Sequence, residues 1–98
     1  MTNLEKAART YCLPETTTPE NLECRFFTDS ATFLTFGTKT LMAGYYYNGR
    51  NANSYYGAVY EFTTDDHSCE GEIRLVAISE ELFADNGHAM AWAMSQTK

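Results

Sequence analysis

The run from Tyr45 to Phe62 holds six of the chain's seven tyrosines, split by the polar break Asn48-Gly49-Arg50-Asn51-Ala52-Asn53. Aromatic and β-branched side chains suit a pleated, half-buried surface, and Asn and Gly suit a turn. The run therefore predicts two strands, over about 40–47 and 54–64, closed into a hairpin by a loop at 48–53. It carries more large rings than one sheet face can bury. For at least half of Tyr45, Tyr46, Tyr47 and Tyr56 strand packing is the expected role. A tyrosine left over presents a wide apolar ring and one hydroxyl, which suits a contact surface.

The flanking sequence extends this hairpin into a sheet. Ala31 to Phe36 is β-branched and aromatic, and Gly37-Thr38 predicts a tight turn into the next strand. Phe26-Phe27 is a candidate start of the sheet. Asp65 to Gly71 reads as a loop and Glu72 to Ile78 as the last strand. Alternation places Tyr56, Ala58, Tyr60 and Phe62 on one face with Ile73, Leu75 and Ala77. The opposite face then carries Tyr55, Val59 and Glu61 beside Glu72 and Arg74, with Glu61 across from Arg74 as a solvated charge pair.

Helix signals stand at both ends. Thr2-Asn3-Leu4-Glu5 fits a capping box, and Leu4, Ala8 and Tyr11 share one face, predicting a helix over about 3–12 that Leu13-Pro14 ends. Thr18-Pro19-Glu20 predicts a second, short helix reaching about Cys24, with Thr18 as N-cap. Ser79-Glu80-Glu81 resembles a third start, with Asn86-Gly87 as a break inside that helix. The expectation is a single α+β domain over 1–98. An antiparallel, meander-like sheet of about four strands would have the N- and C-terminal helices packed on one face.

Ninety-eight residues, 44% hydrophobic and 20% charged, fit one folded core and little more. The net charge is −6, and the seven Lys and Arg residues are scattered without a basic run. Direct nucleic-acid binding and attachment to an anionic membrane are both disfavoured, because each draws its affinity from clustered cations. A partner protein with a basic surface is favoured instead. The odd cysteine count (Cys12, Cys24, Cys69), with no leader-like start and no Asn-x-Ser/Thr, predicts free thiols in a cytoplasmic setting.

Catalytic and metal signals are thin. His67-Ser68-Cys69 supplies two candidate metal ligands, with Cys12, Cys24 and His88 elsewhere, but no Cys-x-x-Cys pair exists. Asp65 and Asp66 beside Cys69 would oppose a thiolate, so a cysteine nucleophile is not expected. The acidic loop lacks the alternating register of a calcium loop. The Gly44–Gly57 stretch lacks the Lys-Ser/Thr of a phosphate cradle. No cofactor, metal or catalytic residue is expected.

The leading expectation is a non-enzymatic interaction module. Tyr45, Tyr47 and Tyr55 would serve as anchors and Glu61, Asp65, Asp66 and Glu72 as an acidic rim, against a basic surface that itself handles nucleic acid. Size and charge suit the small anti-defence proteins of phages and mobile elements, anti-CRISPR and antirestriction proteins among them. That is an analogy of type, with no diagnostic motif. The alternatives are a ligand-binding or enzymatic pocket using His67, Cys69 or His88, and a homodimer through a strand edge or the tyrosine face.

Overall fold

The computed structural model describes residues 3–11, 13–25, 31–50, 53–68, 70–79 and 81–96, with the backbone alone at 3, 25, 47–50 and 53. The elements run α1 (Asn3–Tyr11), β1 (Thr16–Thr17), α2 (Pro19–Arg25), β2 (Ala31–Phe36), β3 (Lys39–Arg50), β4 (Asn53–Phe62), β5 (Ile73–Ile78) and α3 (Asn86–Ser95). The strands form one five-stranded sheet in the order β1-β5-β4-β3-β2, and every pairing is antiparallel. The α+β class and the antiparallel meander are as expected. The fifth strand is the two-residue β1, too short to leave a periodic signal.

Alternation along β4 decides the layers. Tyr56, Ala58, Tyr60 and Phe62 point to one side, where they pack with Met42, Ile73, Leu75 and, from the helices, Ala8 and Leu22. Leu4 and Tyr11 join from the same stripe of α1. Tyr11 lies flat on Tyr56, with ring centroids 4.2 Å apart and planes 7° from parallel. Tyr60 is fully buried, and its hydroxyl donates to the Pro14 carbonyl at 2.7 Å. That bond ties down the connector between α1 and β1.

The other side is covered as well. Leu41 and Val59 pack beneath Ala93, with Met90, Trp92 and Ala77 around them. The C-terminal helix therefore lies on the face opposite α1 and α2, not beside them as expected. Its start differs too. Ser79 stays with the sheet: its N–H bonds the Gly57 carbonyl at 2.8 Å, and its Oγ accepts from the Gly57 N–H at 3.0 Å. The helix begins at Asn86, so Asn86-Gly87 opens it where a break had been expected. An Asn-Gly pair disfavours a helix interior but is tolerated in a first turn, where the cap supplies the missing hydrogen bonds.

Asp85 is that cap. Its Oδ1 accepts from the His88 N–H at 2.7 Å and lies 2.8 Å from His88 Nδ1. The backbone bond, and then the imidazole, hold the Asp85 carboxyl below its ordinary pKa. A depressed carboxylate binds fewer protons folded than unfolded, so its contribution is full above the unfolded value and fades as pH falls through the folded one. Thermal melts between pH 6 and pH 2 should fall more steeply for the wild type than for Asp85→Asn, which caps without titrating. At neutral pH Asp85→Ala should melt lower than Asp85→Asn.

The remaining junctions follow the sequence closely. Thr18 Oγ1 accepts from the Asn21 N–H at 3.2 Å, capping α2 as predicted. Gly37, at φ 61°, makes the β2–β3 turn. The expected six-residue loop at 48–53 is mostly strand, because Arg50 pairs with Asn53. The capping residue Thr2, the Phe26-Phe27 start, Cys12 and Cys69 lie outside the described residues. Among the described residues no helix is long and apolar enough to cross a membrane.

Candidate functional site

The expected tyrosine anchors and the expected acidic rim fall at opposite ends of the sheet. Tyr45 and Tyr55 are cross-strand partners in the β3–β4 register. Their rings meet edge to face at 5.5 Å, with Tyr45 half exposed and Tyr55 partly buried. The Tyr47 side chain lies outside the described residues. Six residues along β4 from Tyr55, about 20 Å at the usual strand rise, stands Glu61. It faces Arg74 in register as expected, and it forms an ion pair at 3.4 Å with Lys39 on its other side. Helix α3 covers Gly57 and Val59 between the two ends, so tyrosines and acids form two patches and not one rimmed surface.

The acidic patch is built on the β4–β5 loop. Asp65, Asp66, Glu70 and Glu72 are all exposed there. The Thr63 hydroxyl donates to Glu72 Oε1 at 2.6 Å, and the Ser68 N–H donates to Asp66 Oδ1 at 3.1 Å. Hydrogen bonds from the Ser68 side chain and backbone lower the Asp66 pKa, which keeps that charge in place at neutral pH. The Gly71 N–H closes the loop on the Ser68 carbonyl at 3.0 Å.

The two histidines do not converge. His67 leans on Phe62, with ring centroids 4.9 Å apart, while His88 belongs to the α3 cap. Ala89, the neighbour of His88, rests on Gly57, five residues along β4 from Phe62 and about 17 Å away at the usual rise. Cys24 is free and exposed on α2. Among the described residues no group of three His, Cys, Asp or Glu side chains is placed to hold a metal ion.

Sequence reasoning missed a cleft of about 500 Å³ at the Ile78 end of β5, between α1 and α3. Leu4 and Ile78 line it with Ser79, Glu81, Phe83, Trp92 and Gln96. Phe83 is fixed by a one-residue bridge to Tyr55, with bonds of 2.7 and 3.1 Å between the two backbones. Trp92 is fixed by Gly57: a Cβ there would stand 2.7 Å from Trp92 Cε3. The only sequence signal was the lone tryptophan. The cap signal of Ser79-Glu80-Glu81 masks the rest, because a helix started there would carry residue 83 instead of leaving it to bridge Tyr55.

No curated protein and no solved structure matches the chain. Residues 13–97 match a known family, which spans everything described above except α1. The chain belongs to that family, Nucleotide modification associated domain 4.

Proposed function

We propose that this family member is a binding module, not a catalyst, that docks onto a basic surface of a partner protein. The observation that carries the reading is the hydrogen-bonded acidic loop between β4 and β5. It presents Asp65, Asp66, Glu70 and Glu72 together on a chain of net charge −6. Charge of one sign held on a short, hydrogen-bonded loop steers an oppositely charged partner and fixes its orientation. The family's association with nucleotide modification directs the choice of partner to a protein that handles nucleic acid or nucleotides, whose basic surface this module would occlude. An anti-defence role of the anti-CRISPR or antirestriction type is one setting for such occlusion. Tyr45, half exposed against Tyr55, offers a second, apolar contact. The separation of His67 from His88 favours binding over a histidine-based active site.

Affinity capture with the tagged protein at 0.1 M and 0.5 M salt tests this. The wild type should retain a stoichiometric partner at low salt and lose it at high salt, because screening shortens the reach of exposed charges. A variant with Asp65→Asn, Asp66→Asn, Glu70→Gln and Glu72→Gln should lose that partner at both salts. Capture unchanged by the four substitutions would refute the assignment.

A further inference from the structure

We infer that the cleft beside Trp92 binds an uncharged nucleobase or nucleoside, ring against the aromatic wall and polar edge toward Glu81. The site lies at the opposite end of β5 from the acidic loop and goes beyond the docking reading.

Three observations converge on it. The first is size and wall. About 500 Å³ is ample for a nucleoside, and Trp92 and Phe83 supply flat apolar surface on which a heterocycle can stack. Trp92 is held in advance by its contact with Gly57, and the Phe83 backbone is anchored by its bridge to Tyr55. The second is unspent hydrogen-bonding capacity. Ser79 Oγ accepts from Gly57, and its own proton has no acceptor among the described residues. The Glu81 carboxylate and the Trp92 indole N–H likewise have no hydrogen-bond partner there. The Gln96 amide nitrogen holds Ser95 Oγ at 3.1 Å and leaves its carbonyl free to accept. These groups offer acceptors and donors at the rim of an apolar slot, the arrangement that reads the edge of a base.

The third is charge, which excludes the phosphate. Among the described lining residues Glu81 alone is charged, and none is a Lys or Arg. The adjoining grooves share Leu4 and contain Arg74, but Glu5, Glu15 and Glu61 line them with it. A 5′-phosphate would enter a field already negative. A carboxylate accepts two parallel N–H bonds, so a base edge with adjacent donors, as in guanine, is preferred over the single imide N–H of uracil.

The chain has one tryptophan, so fluorescence quenching reports the site directly. The intact protein is titrated with guanosine, cytidine, uridine and guanosine 5′-monophosphate. Guanosine should quench saturably and bind about tenfold tighter than uridine, the worth of one hydrogen bond to a charged group. The monophosphate should bind no tighter than guanosine. Glu81→Gln, an exposed change that leaves the packing intact, should erase the preference for guanosine over uridine. Absence of saturable quenching by every nucleoside, tighter binding of the monophosphate, or an unchanged preference in Glu81→Gln would each overturn the inference.

Discussion

Tyr56→Ala should destabilise the protein by about 3–5 kcal/mol, the range for removing a buried aromatic ring. Tyr56 is 1% exposed and lies in the larger of the two cores, directly beneath Tyr11. Together with the edge-on contact of Tyr11 and Tyr46, whose centroids are 5.0 Å apart, the stack joins α1 to the sheet. Gly44, its register partner on β3, makes the room: a Cβ there would stand 2.5 Å from Tyr56 Cζ. Alanine at 56 therefore leaves a cavity walled by a rigid strand and by an aromatic ring that has lost its support. A domain of this size has about 5–15 kcal/mol in total, so the variant should melt early or fail to fold. Tyr56→Phe keeps the ring and the stack and should lose far less. Urea unfolding of the two variants, followed by circular dichroism, separates the ring from the hydroxyl.

The second large effect is expected at Gly57. Its backbone lies outside the left-handed region, so alanine is conformationally allowed there and would by itself stabilise by about 0.4–1 kcal/mol. Packing reverses the sign. A Cβ at 57 would stand 2.6 Å from the Ala89 carbonyl oxygen and 2.7 Å from Trp92 Cε3. The first contact is backbone of α3, so relief requires the whole helix to rise from the sheet. Gly57→Ala should cost about 2–3 kcal/mol, typical of overpacking. The loss should appear first in α3: Trp92 fluorescence should shift to the red at a lower urea concentration than the loss of sheet ellipticity. A single coincident transition with wild-type midpoint would show that the helix does not need this close approach.

The parts of the fold that were legible in the sequence are those governed by local rules. Strands β2 to β5 followed from their β-branched and aromatic runs and, in β4 and β5, from alternation, except that the register shift between Val59 and Tyr60 turns Ala77 to the α3 face instead of the Tyr56 face; α2 followed from Thr18-Pro19, and the Gly37 turn from its residue type. The side of the sheet chosen by α3 was not legible, because the same small and apolar residues, Ala89, Ala93 and Met90, would suit either face. What decides it is Gly57, whose missing side chain admits a helix on one side only. The start of α3 was misread because Ser79-Glu80-Glu81 satisfies the local cap rule, while the tertiary bonds between Ser79 and Gly57 override it. Of the candidate site, the exposure of Asp65, Asp66 and Glu72 was visible in the loop composition. The separation of tyrosines from acids was not, since it arises from strand length and from a helix lying between them. The cleft was invisible for a related reason: its walls come from four segments whose meeting only the fold creates.

The placement of α3 also bears on how the chain comes into being. Synthesis delivers all five strands before residues 86–95, so the nascent sheet can close over α1 and α2 while Leu41, Val59 and Ala77 still lack their lid. During that interval a greasy face and the uncharged β2 edge, with Leu34 and Phe36 exposed on it, are open together. A ribosome that stalls or stops just short of Asn86 would release a half-covered sheet suited to sticking to its own kind. The last helix thus acts as the chain's seal during birth as much as a layer of its finished core.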